Sequence, residues 1–353
     1  SYPNIKIDNF YFCIHCLIIF FEERKCPGGS AFPIRASFSP HEIRYDEPKV
    51  QKGIEMYDII IIGGGPAGIS AGIYAVSRGK KTLIIEKSQI GGIIGKVSTV
   101  THYSAIVENE SGATFAERLK RQALHAGVEI RYENVIKTEL QGDIKTVMTE
   151  DGCYQAQKLI LANGSTPRKL DIPGEAGLTG KGMGLNAARD GALYAGKNMY
   201  VVGGADGAVK EALYLSQFAK TVTIIHFEDQ LGCIAEFKNK LKDTANITLR
   251  LSSRLQAVHG SEQIETLDIA DEKSGKTETI QDPGCGVFVY TGTIPNTDIY
   301  PELVLENGYI PVNEKMETAI PGVYAAGDIR VKQVRQAATA VADGAVAAIN
   351  AAV

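Results

Sequence analysis

Apolar runs and glycine-rich turns alternate along the chain from residue 56 onward. Four consecutive isoleucines at 59–62 precede a glycine-rich turn, a segment of helical spacing at about 67–78, and a second apolar run at 82–85. The same order recurs farther on, where apolar runs at 199–202 and 221–225 flank another glycine-rich turn. Short apolar runs bounded by glycine are typical of buried parallel strands, and their alternation with helices predicts an α/β fold.

The first 55 residues lack this alternation. They hold an apolar stretch at 10–21, then charged residues, then a segment rich in Pro, Gly and Ser. Residues 52–56 can be back-translated as a purine-rich element shortly before an ATG, which suggests that Met56 is the natural start and 1–55 a translated leader. A disordered extension explains the composition equally well. The apolar stretch falls short of the roughly 18 residues that span a bilayer, and it lacks the basic leader of a signal peptide.

The composition narrows the class of protein. The 353 residues are 44% hydrophobic and 22% charged, which is ordinary for a globular protein of about two domains. The net charge of −4, without a basic segment, argues against nucleic acid or a membrane surface as partner. Three of the six cysteines are isolated, which favours a reducing compartment, the cytoplasm, over a disulfide framework. We expect no metal site.

The first glycine-rich turn has the spacing of a dinucleotide-binding fingerprint. Gly63 permits the tight turn, Gly65 lets a pyrophosphate approach the backbone, and Gly68 lets the following helix pack against the strand. The helix directs its N-terminal N–H groups at the phosphates. Glu86 ends the second apolar run about 20 residues beyond the glycines, where an acid hydrogen-bonds ribose hydroxyls. This order of elements predicts that the chain binds a dinucleotide.

Three further segments resemble the low-molecular-weight thioredoxin reductase family. Residues 159–164, LILANG, resemble the strand that closes the FAD domain of that family. Residues 322–328, GVYAAGD, resemble its second FAD motif, in which the Asp bonds the ribityl chain. Residues 335–337, RQA, resemble the segment that packs beside the flavin ring. The order and spacing match the family over about residues 57–353.

The resemblance implies two Rossmann-like, three-layer dinucleotide-binding domains, the second inserted in the first. It divides the FAD-binding domain into residues 56–166 and 285–353 and gives residues 167–284 to an NAD(P)-binding-like domain, with hinges near 166–167 and 283–284. It also implies tightly held FAD, a homodimer, and rotation of the inserted domain during the reaction. The residues expected to bind FAD are Gly63, Gly65, Pro66, Ala67, Gly68, Glu86, Lys87, Gly91, Gly92, His102, Asn163, Gly164, Gly327, Asp328, Arg335, Gln336 and Ala337.

The catalytic cysteines of the family are missing from this chain. In the family a C-A-T-C-D-G segment opens the inserted domain, and this chain reads NAARDG at 186–191. Asn186 and Arg189 stand at the two cysteine positions, and neither forms a thiolate or exchanges a disulfide. Asp190 matches the proton donor of the family, although a turn or helix-cap Asp before Gly explains it as well. The route from flavin to disulfide is therefore absent at this segment.

The second glycine-rich turn, GGADGA at 203–208, is altered too. Ala205 replaces the middle glycine of G-x-G-x-x-A, and its methyl group hinders close approach of a pyrophosphate. Where the family places two arginines for the 2′-phosphate of NADPH, this chain has Phe227 and Glu228. An acid suits free ribose hydroxyls, so NADPH is disfavoured and NADH is compatible. Loss of all nicotinamide binding is the alternative.

Two other features bear on the chemistry. His102 stands where relatives have an Asn that approaches the flavin, so it is a candidate to tune the flavin or transfer a proton, or else a loop histidine that keeps a hydrogen bond. Cys13 and Cys16 have the C-x-x-C spacing of a redox pair but lie outside any βαβ unit. The cysteines predicted to be passive thiols are Cys153, Cys233 and Cys285.

Three functions are compatible with this sequence. The first is an FAD-dependent oxidoreductase whose flavin exchanges electrons directly with an external partner such as ferredoxin, flavodoxin or NADH. The second is a thioredoxin-disulfide reductase that uses other cysteines. The third is a non-catalytic flavin-binding or regulatory protein that has kept the fold and lost the reaction. The complete FAD motifs, together with the altered thiol segment and second turn, favour the first.

Overall fold

The structure, a computed structural model, describes residues 55–353. The predictions that fall on the apolar stretch at 10–21 and on Cys13 and Cys16 lie outside these residues. The described part of the chain contains sixteen strands, seven α-helices and three short 3-10 helices. Among these helices none is long and apolar enough to cross a membrane.

The larger sheet has seven strands and carries the first glycine-rich turn. Its strands are β1 (Glu55–Ile62), β2 (Thr82–Glu86), β3 (Glu129–Tyr132), β4 (Val135–Glu139), β5 (Lys145–Thr149), β6 (Cys153–Leu161) and β16 (Val323–Ala325). The order is β3-β2-β1-β6-β5-β4, and β16 pairs with β6. Pairing is parallel among β1, β2, β3, β6 and β16 and antiparallel at β4 and β5.

Both faces of this sheet are buried, which explains the uninterrupted apolar runs in its strands. Ile59 and Ile61 of β1 pack on one face, and Ile60 and Ile62 pack on the other. Such two-sided burial is typical of parallel strands covered by other elements. The helices that accompany this sheet are α1 (Pro66–Val76), α2 (Gly112–His125) and α7 (Ala337–Ala351), with α1 packed against α7.

A second sheet of four parallel strands lies between these segments in the chain. Its strands are β8 (Asn198–Val202), β9 (Thr221–Ile225), β10 (Ile247–Arg250) and β14 (Gly286–Val289), in the order β10-β9-β8-β14. Its helices are α5 (Asp206–Leu215) and α6 (Ala235–Lys242). A three-stranded antiparallel sheet, β11 (Ser253–His259), β12 (Thr266–Asp271) and β13 (Thr277–Gln281), follows β10. Two dinucleotide-type sheets, a mixed one with a parallel core and an all-parallel one that interrupts it in the chain, confirm the predicted fold class.

The chain passes between the two sheets through a pair of short strands. β7 (Ser165–Pro167) and β15 (Thr293–Pro295) pair antiparallel. The remaining helices are α3 (Glu175–Leu178), α4 (Ala187–Asp190) and the 3-10 helices Ile94–Lys96, Gly191–Tyr194 and Gly327–Ile329.

The predicted return to the first domain at residue 285 is wrong. β14 lies beyond that point, yet it pairs in parallel with β8 of the second sheet, and Cys285 and Val287 are buried in the core beside that sheet. A Pro-Gly turn at 283–284 resembles a boundary in the sequence, but the strand that follows it completes the second sheet. We therefore place the return crossing at β15, opposite the outward crossing at β7.

Candidate functional site

A cleft of about 390 Å³ opens at the carboxyl ends of β1, β2 and β6. In open α/β sheets this edge is where ligands bind. The cleft is lined by these predicted residues: Gly63, Gly65, Pro66, Ala67, Glu86, Lys87, Gly92, Asn163, Gly164, Gly327, Asp328, Arg335, Gln336 and Ala337. Sequence reasoning missed the wall at Glu133, Asn134 and Val135, because the turn between two strands carries no dinucleotide motif.

The first glycine-rich turn is shaped for a group that touches the backbone. Gly63 has a φ of +106°, and a Cβ there would lie 2.5 Å from the carbonyl oxygen of Ala162. Gly65 has ordinary extended backbone, and a Cβ there would meet no atom of the described residues within 4 Å. The first position is glycine because of the turn, whereas the second leaves open space at the mouth of the cleft.

Two predicted residues support this turn without lining the cleft. Gly68 lies in α1 against the carbonyl oxygen of Gly63, which leaves no room for a side chain. Gly91 donates its N–H to the carbonyl oxygen of Gly64 at 2.9 Å. Both therefore hold the backbone of the turn in place.

The carboxylate of Glu86 is fixed at the end of β2. One oxygen accepts a hydrogen bond from the Gly64 N–H at 2.8 Å, and the other accepts from the Ser88 N–H at 3.0 Å. The residue is buried and lines the cleft. Because backbone N–H groups orient both oxygens, their remaining lone pairs are directed for a ligand hydroxyl.

The far wall of the cleft carries buried polar atoms that lack a protein partner. Among the described residues, Asp328 Oδ1, Arg335 Nε and Ser165 Oγ are buried without a hydrogen bond, and all three residues line the cleft. Burial also raises the pKa of Asp328. Buried polar groups are almost always hydrogen-bonded in proteins. These residues therefore fit a ligand with hydroxyl and phosphate groups, as FAD has.

The segment at 186–191 forms a compact capped turn. Asn186 caps α4 by accepting from the Arg189 N–H at 2.9 Å, and its own N–H donates to Asp190 at 3.0 Å. Arg189 donates to both oxygens of Asp190, at 2.7 and 2.8 Å. These hydrogen bonds to Arg189 lower the pKa of Asp190. An anionic, paired Asp190 favours the helix-cap alternative over the proton donor.

The second glycine-rich turn repeats the geometry of the first with a different side chain beneath it. Gly64 and Glu86 are 22 residues apart, and Gly204 and His226 have the same separation. A Cβ at Gly204 would lie 2.4 Å from the His226 ring. His226 Nε2 in turn lies 3.1 Å from a carboxylate oxygen of Glu228. In the second fold the carboxylate of Glu228 is therefore held by His226, which itself packs beneath the turn.

His102 does not line the cleft. Its side chain is half exposed, its Nε2 lies 3.3 Å from a carboxylate oxygen of Glu236, and its ring packs edge-on against Phe237. Both partners belong to α6 beside the second sheet. In this structure His102 thus contacts the inserted domain, which favours the loop-histidine alternative.

The comparisons with known proteins match this geometry. A family model for pyridine nucleotide-disulphide oxidoreductases matches residues 57–344. The chain belongs to this family. A thioredoxin reductase from Peptoclostridium acidaminophilum is 37% identical over 302 residues, which is 84% of this chain and 96% of the relative. A 34.2 kDa protein in the rubredoxin operon of Clostridium pasteurianum is 39% identical over 298 residues, covering 83% and 96%.

Solved thioredoxin reductases have the same fold. The Lactococcus lactis enzyme in its FR conformation superposes with a TM-score of 0.80 at 34% identity, covering 84% of this chain and 97% of that one. The T. acidophilum thioredoxin reductase also gives a TM-score of 0.80, at 29% identity, covering 84% of this chain and 98% of that one. This pyridine nucleotide-disulphide oxidoreductase is therefore thioredoxin reductase-like and an oxidoreductase, as the sequence predicted.

The three cysteines in the described part of this family member lie outside the cleft. Cys233 and Cys285 are buried, and Cys153 is half-buried at the start of β6. Burial raises the pKa of Cys233 and raises that of Cys285 to about 12. A thiol that stays protonated neither attacks a disulfide nor reacts with electrophiles.

Alkylation is expected to distinguish these thiols. At pH 8 iodoacetamide should label Cys153 at least about 100-fold faster than Cys285, because a pKa of about 12 leaves little Cys285 thiolate. Mass spectrometry of peptides from a labelling time course measures both rates in the same sample. Equal rates for the two cysteines would contradict the buried, protonated state of Cys285.

Proposed function

We propose that this chain binds FAD in the cleft and that the flavin exchanges electrons directly with an external partner. The observation that carries this proposal is the capped turn at 186–191, where Asn186 and Arg189 occupy the positions of the family cysteines. With no thiol there, a bound flavin has no neighbouring disulfide on that segment to reduce. Direct exchange with an external partner needs no disulfide on that segment.

The residues of this chain have separate tasks toward FAD in this proposal. Glu86 accepts from the adenosine ribose hydroxyls, and the N–H groups at the start of α1 bind the pyrophosphate past Gly65. Asp328 and Arg335, whose buried Oδ1 and Nε atoms have no hydrogen-bond partner among the described residues, bind the ribityl and flavin portion. When bound, FAD supplies a two-electron carrier.

Two observations bear on the identity of the electron partner: the side chains that follow the second glycine-rich turn, and the operon of one relative. Phe227 and Glu228 in place of arginines disfavour NADPH and leave NADH as the nicotinamide donor. Ferredoxin or flavodoxin is the other class of donor. The Clostridium pasteurianum relative belongs to a rubredoxin operon, which supports small electron-transfer proteins as partners. The homodimer and the cytoplasmic location stay predictions.

A thioredoxin-disulfide reductase that uses other cysteines is the second candidate. It is favoured by relatives that are themselves thioredoxin reductases. It is opposed by the burial of Cys233 and Cys285, neither of which is among the residues that line the cleft. A count of electrons per flavin separates the two candidates.

Anaerobic dithionite titration of the wild type is expected to consume two electrons per flavin. FAD takes two electrons, and a redox-active disulfide would take two more. The double variant Asn186→Cys/Arg189→Cys, oxidised before titration, restores the family spacing on α4 and is expected to consume four. The visible flavin band follows the titration.

Four electrons per flavin in the wild type would reveal another redox-active disulfide, including one at Cys13 and Cys16. Two electrons, followed by reoxidation with an added acceptor, supports direct exchange. A flavin that dithionite reduces but that NADH, ferredoxin and flavodoxin leave oxidised would favour the non-catalytic alternative.

A further inference from the structure

The segment that follows Asp328 carries three cations, and two of them are neutralised by one carboxylate. Arg330 and Lys332 both donate to Asp343 of α7, at distances of 2.7 and 2.8 Å. Among the residues that the structure describes, Arg335 forms no ion pair, and its buried Nε has no hydrogen-bond partner. Since Arg335 lines the cleft, its positive charge is available to a ligand there.

The guanidinium of Arg335 lies over the ring of Tyr309. Its Cζ is 4.1 Å from the ring centroid, well inside the distance at which a cation is attracted to an aromatic face. Both residues are half-buried. An aromatic ring holds a guanidinium in place without cancelling its charge, whereas a carboxylate such as Asp343 would do both. Tyr309 therefore fixes the position of Arg335 and leaves the charge for a ligand.

Tyr309 is itself fixed by a tight turn. Asn307 and Gly308 have φ angles of +50° and +83°, and Glu306 and Tyr309 exchange backbone hydrogen bonds of 2.8 and 2.9 Å across them. Asn-Gly is the pair that most favours a two-residue turn with two positive φ angles. Thr297 Oγ1 donates to the carbonyl oxygen of Gly308 at 3.0 Å and anchors the turn from outside.

Backbone hydrogen bonds join this turn to the segment that leads to Arg335. The Ile310 N–H donates to the carbonyl oxygen of Ile329 at 3.0 Å, and the Val331 N–H donates to the carbonyl oxygen of Ile310 at 2.9 Å. All of these residues follow β15 in the chain and belong with the first sheet. The contact between the ring and the guanidinium therefore involves no residue of the inserted domain.

We propose that Tyr309 is a positioning residue that holds the Arg335 guanidinium beside the flavin, where its charge favours the reduced form. Reduction adds two electrons and one proton, so the reduced flavin carries one negative charge more than the oxidised flavin. A fixed cation nearby stabilises that added charge. The inference rests on the proposed FAD site, but it does not depend on which donor reduces the flavin.

The reduction potential of the bound flavin in the full-length holoprotein tests this proposal. Equilibration with a reference dye under argon at pH 8 measures it. Tyr309→Leu is expected to weaken binding of reduced relative to oxidised flavin about tenfold, which lowers the potential of a two-electron couple by about 30 mV. Tyr309→Phe keeps the ring under the guanidinium and is expected to keep the wild-type potential.

A second change shows whether Tyr309 acts through Arg335. Arg335→Gln is expected to lower the potential at least as far as Tyr309→Leu does, and combining the two changes should lower it no further. The matched control is Tyr74→Leu, which removes another contact of this type, in which Arg78 Cζ lies 5.5 Å from the ring centroid. Tyr74 does not line the cleft, so this control should keep the wild-type potential.

The outcomes separate this inference from the proposed FAD site. If Tyr309→Leu binds FAD with the wild-type potential, the positioning role is wrong and the FAD site stands. A shift of the same size in Tyr309→Phe, or an undiminished shift when Tyr309→Leu is added to Arg335→Gln, would also overturn the role. A wild-type protein that binds no FAD would contradict the proposed site itself.

Discussion

Replacing Gly65 by Glu is expected to abolish flavin binding and to leave the fold intact. The backbone at Gly65 is extended with a φ of −73°, a conformation open to any residue, and a Cβ there would meet no atom within 4 Å in the part of the chain that the structure describes. The new side chain would therefore point into the open mouth of the cleft, where the proposed pyrophosphate lies. Its carboxylate would repel the phosphates at the point where α1 offers its N–H groups.

The size of this effect follows from Coulomb's law. Two like charges about 4 Å apart repel by about 4 kcal/mol at an effective dielectric constant of about 20. Since about 1.4 kcal/mol is a factor of ten in affinity, we expect FAD binding to weaken at least about 100-fold. The flavin-to-protein ratio after purification and an FAD titration of the apoprotein measure the loss.

The matched control is Gly177→Glu in α3. A Cβ at Gly177 also meets nothing within 4 Å, but the residue does not line the cleft. The control should keep its flavin. If Gly65→Glu binds FAD as the wild type does, the pyrophosphate does not lie on this turn and the proposed site is wrong.

Local spacing predicted the elements that form the first half of the candidate site. The order of Ile59–Ile62, the glycines and Glu86 fixes a strand, turn, helix and second strand, because each element is set by residues close in sequence. The structure places Glu86 against the Gly64 N–H as that order requires. Asp328 and Arg335 were expected at the cleft because their segments resemble two motifs of the family, and both residues line it.

Contacts between distant segments were beyond the sequence. The wall at Glu133–Val135 is formed by the turn after β3 and the first residue of β4, which carry no motif, and only the sheet order brings it beside the cleft. The strand β14 was assigned to the wrong domain because a Pro-Gly turn precedes it, whereas its parallel pairing with β8 decides its place. His102 was expected near the flavin because it stands at the position of a family Asn. Its partner in the structure, Glu236, is 134 residues farther along the sequence.

The second glycine-rich turn shows both what the sequence predicts and what it does not. The residues Phe227 and Glu228 were visible in the sequence, but the support of Glu228 by His226 was not. Gly204 packs directly over the His226 ring, so the histidine fills the position that Glu86 has in the first fold. Glu228, the acid that would select the ribose, therefore lies two residues beyond the position equivalent to Glu86. His226, not a backbone N–H group of the turn, holds its carboxylate.

Exchanging Phe227 and Glu228 for arginines is expected to reverse the coenzyme preference. In the wild type Glu228 is half exposed and held by His226 Nε2, and we expect it to accept from free ribose hydroxyls and to repel a 2′-phosphate. Flavin reduction by NADH should exceed that by NADPH at least about 10-fold. In Phe227→Arg/Glu228→Arg two charge-assisted hydrogen bonds to the 2′-phosphate replace that repulsion, each contributing about 1.5–3 kcal/mol.

The preference should therefore shift by about 100-fold or more between wild type and variant, which corresponds to about 2.7 kcal/mol. Stopped-flow reduction of the flavin under argon, at equal concentrations of NADH and NADPH, measures the ratio directly.

Asp229→Arg is the matched control, since it adds positive charge at an exposed neighbouring position and should leave the ratio near that of the wild type. Because Phe227 and Glu228 are both half exposed, the double change should cost little stability. A wild type that prefers NADPH would contradict the role of Glu228, and a wild type that neither nucleotide reduces would leave ferredoxin or flavodoxin as the donor.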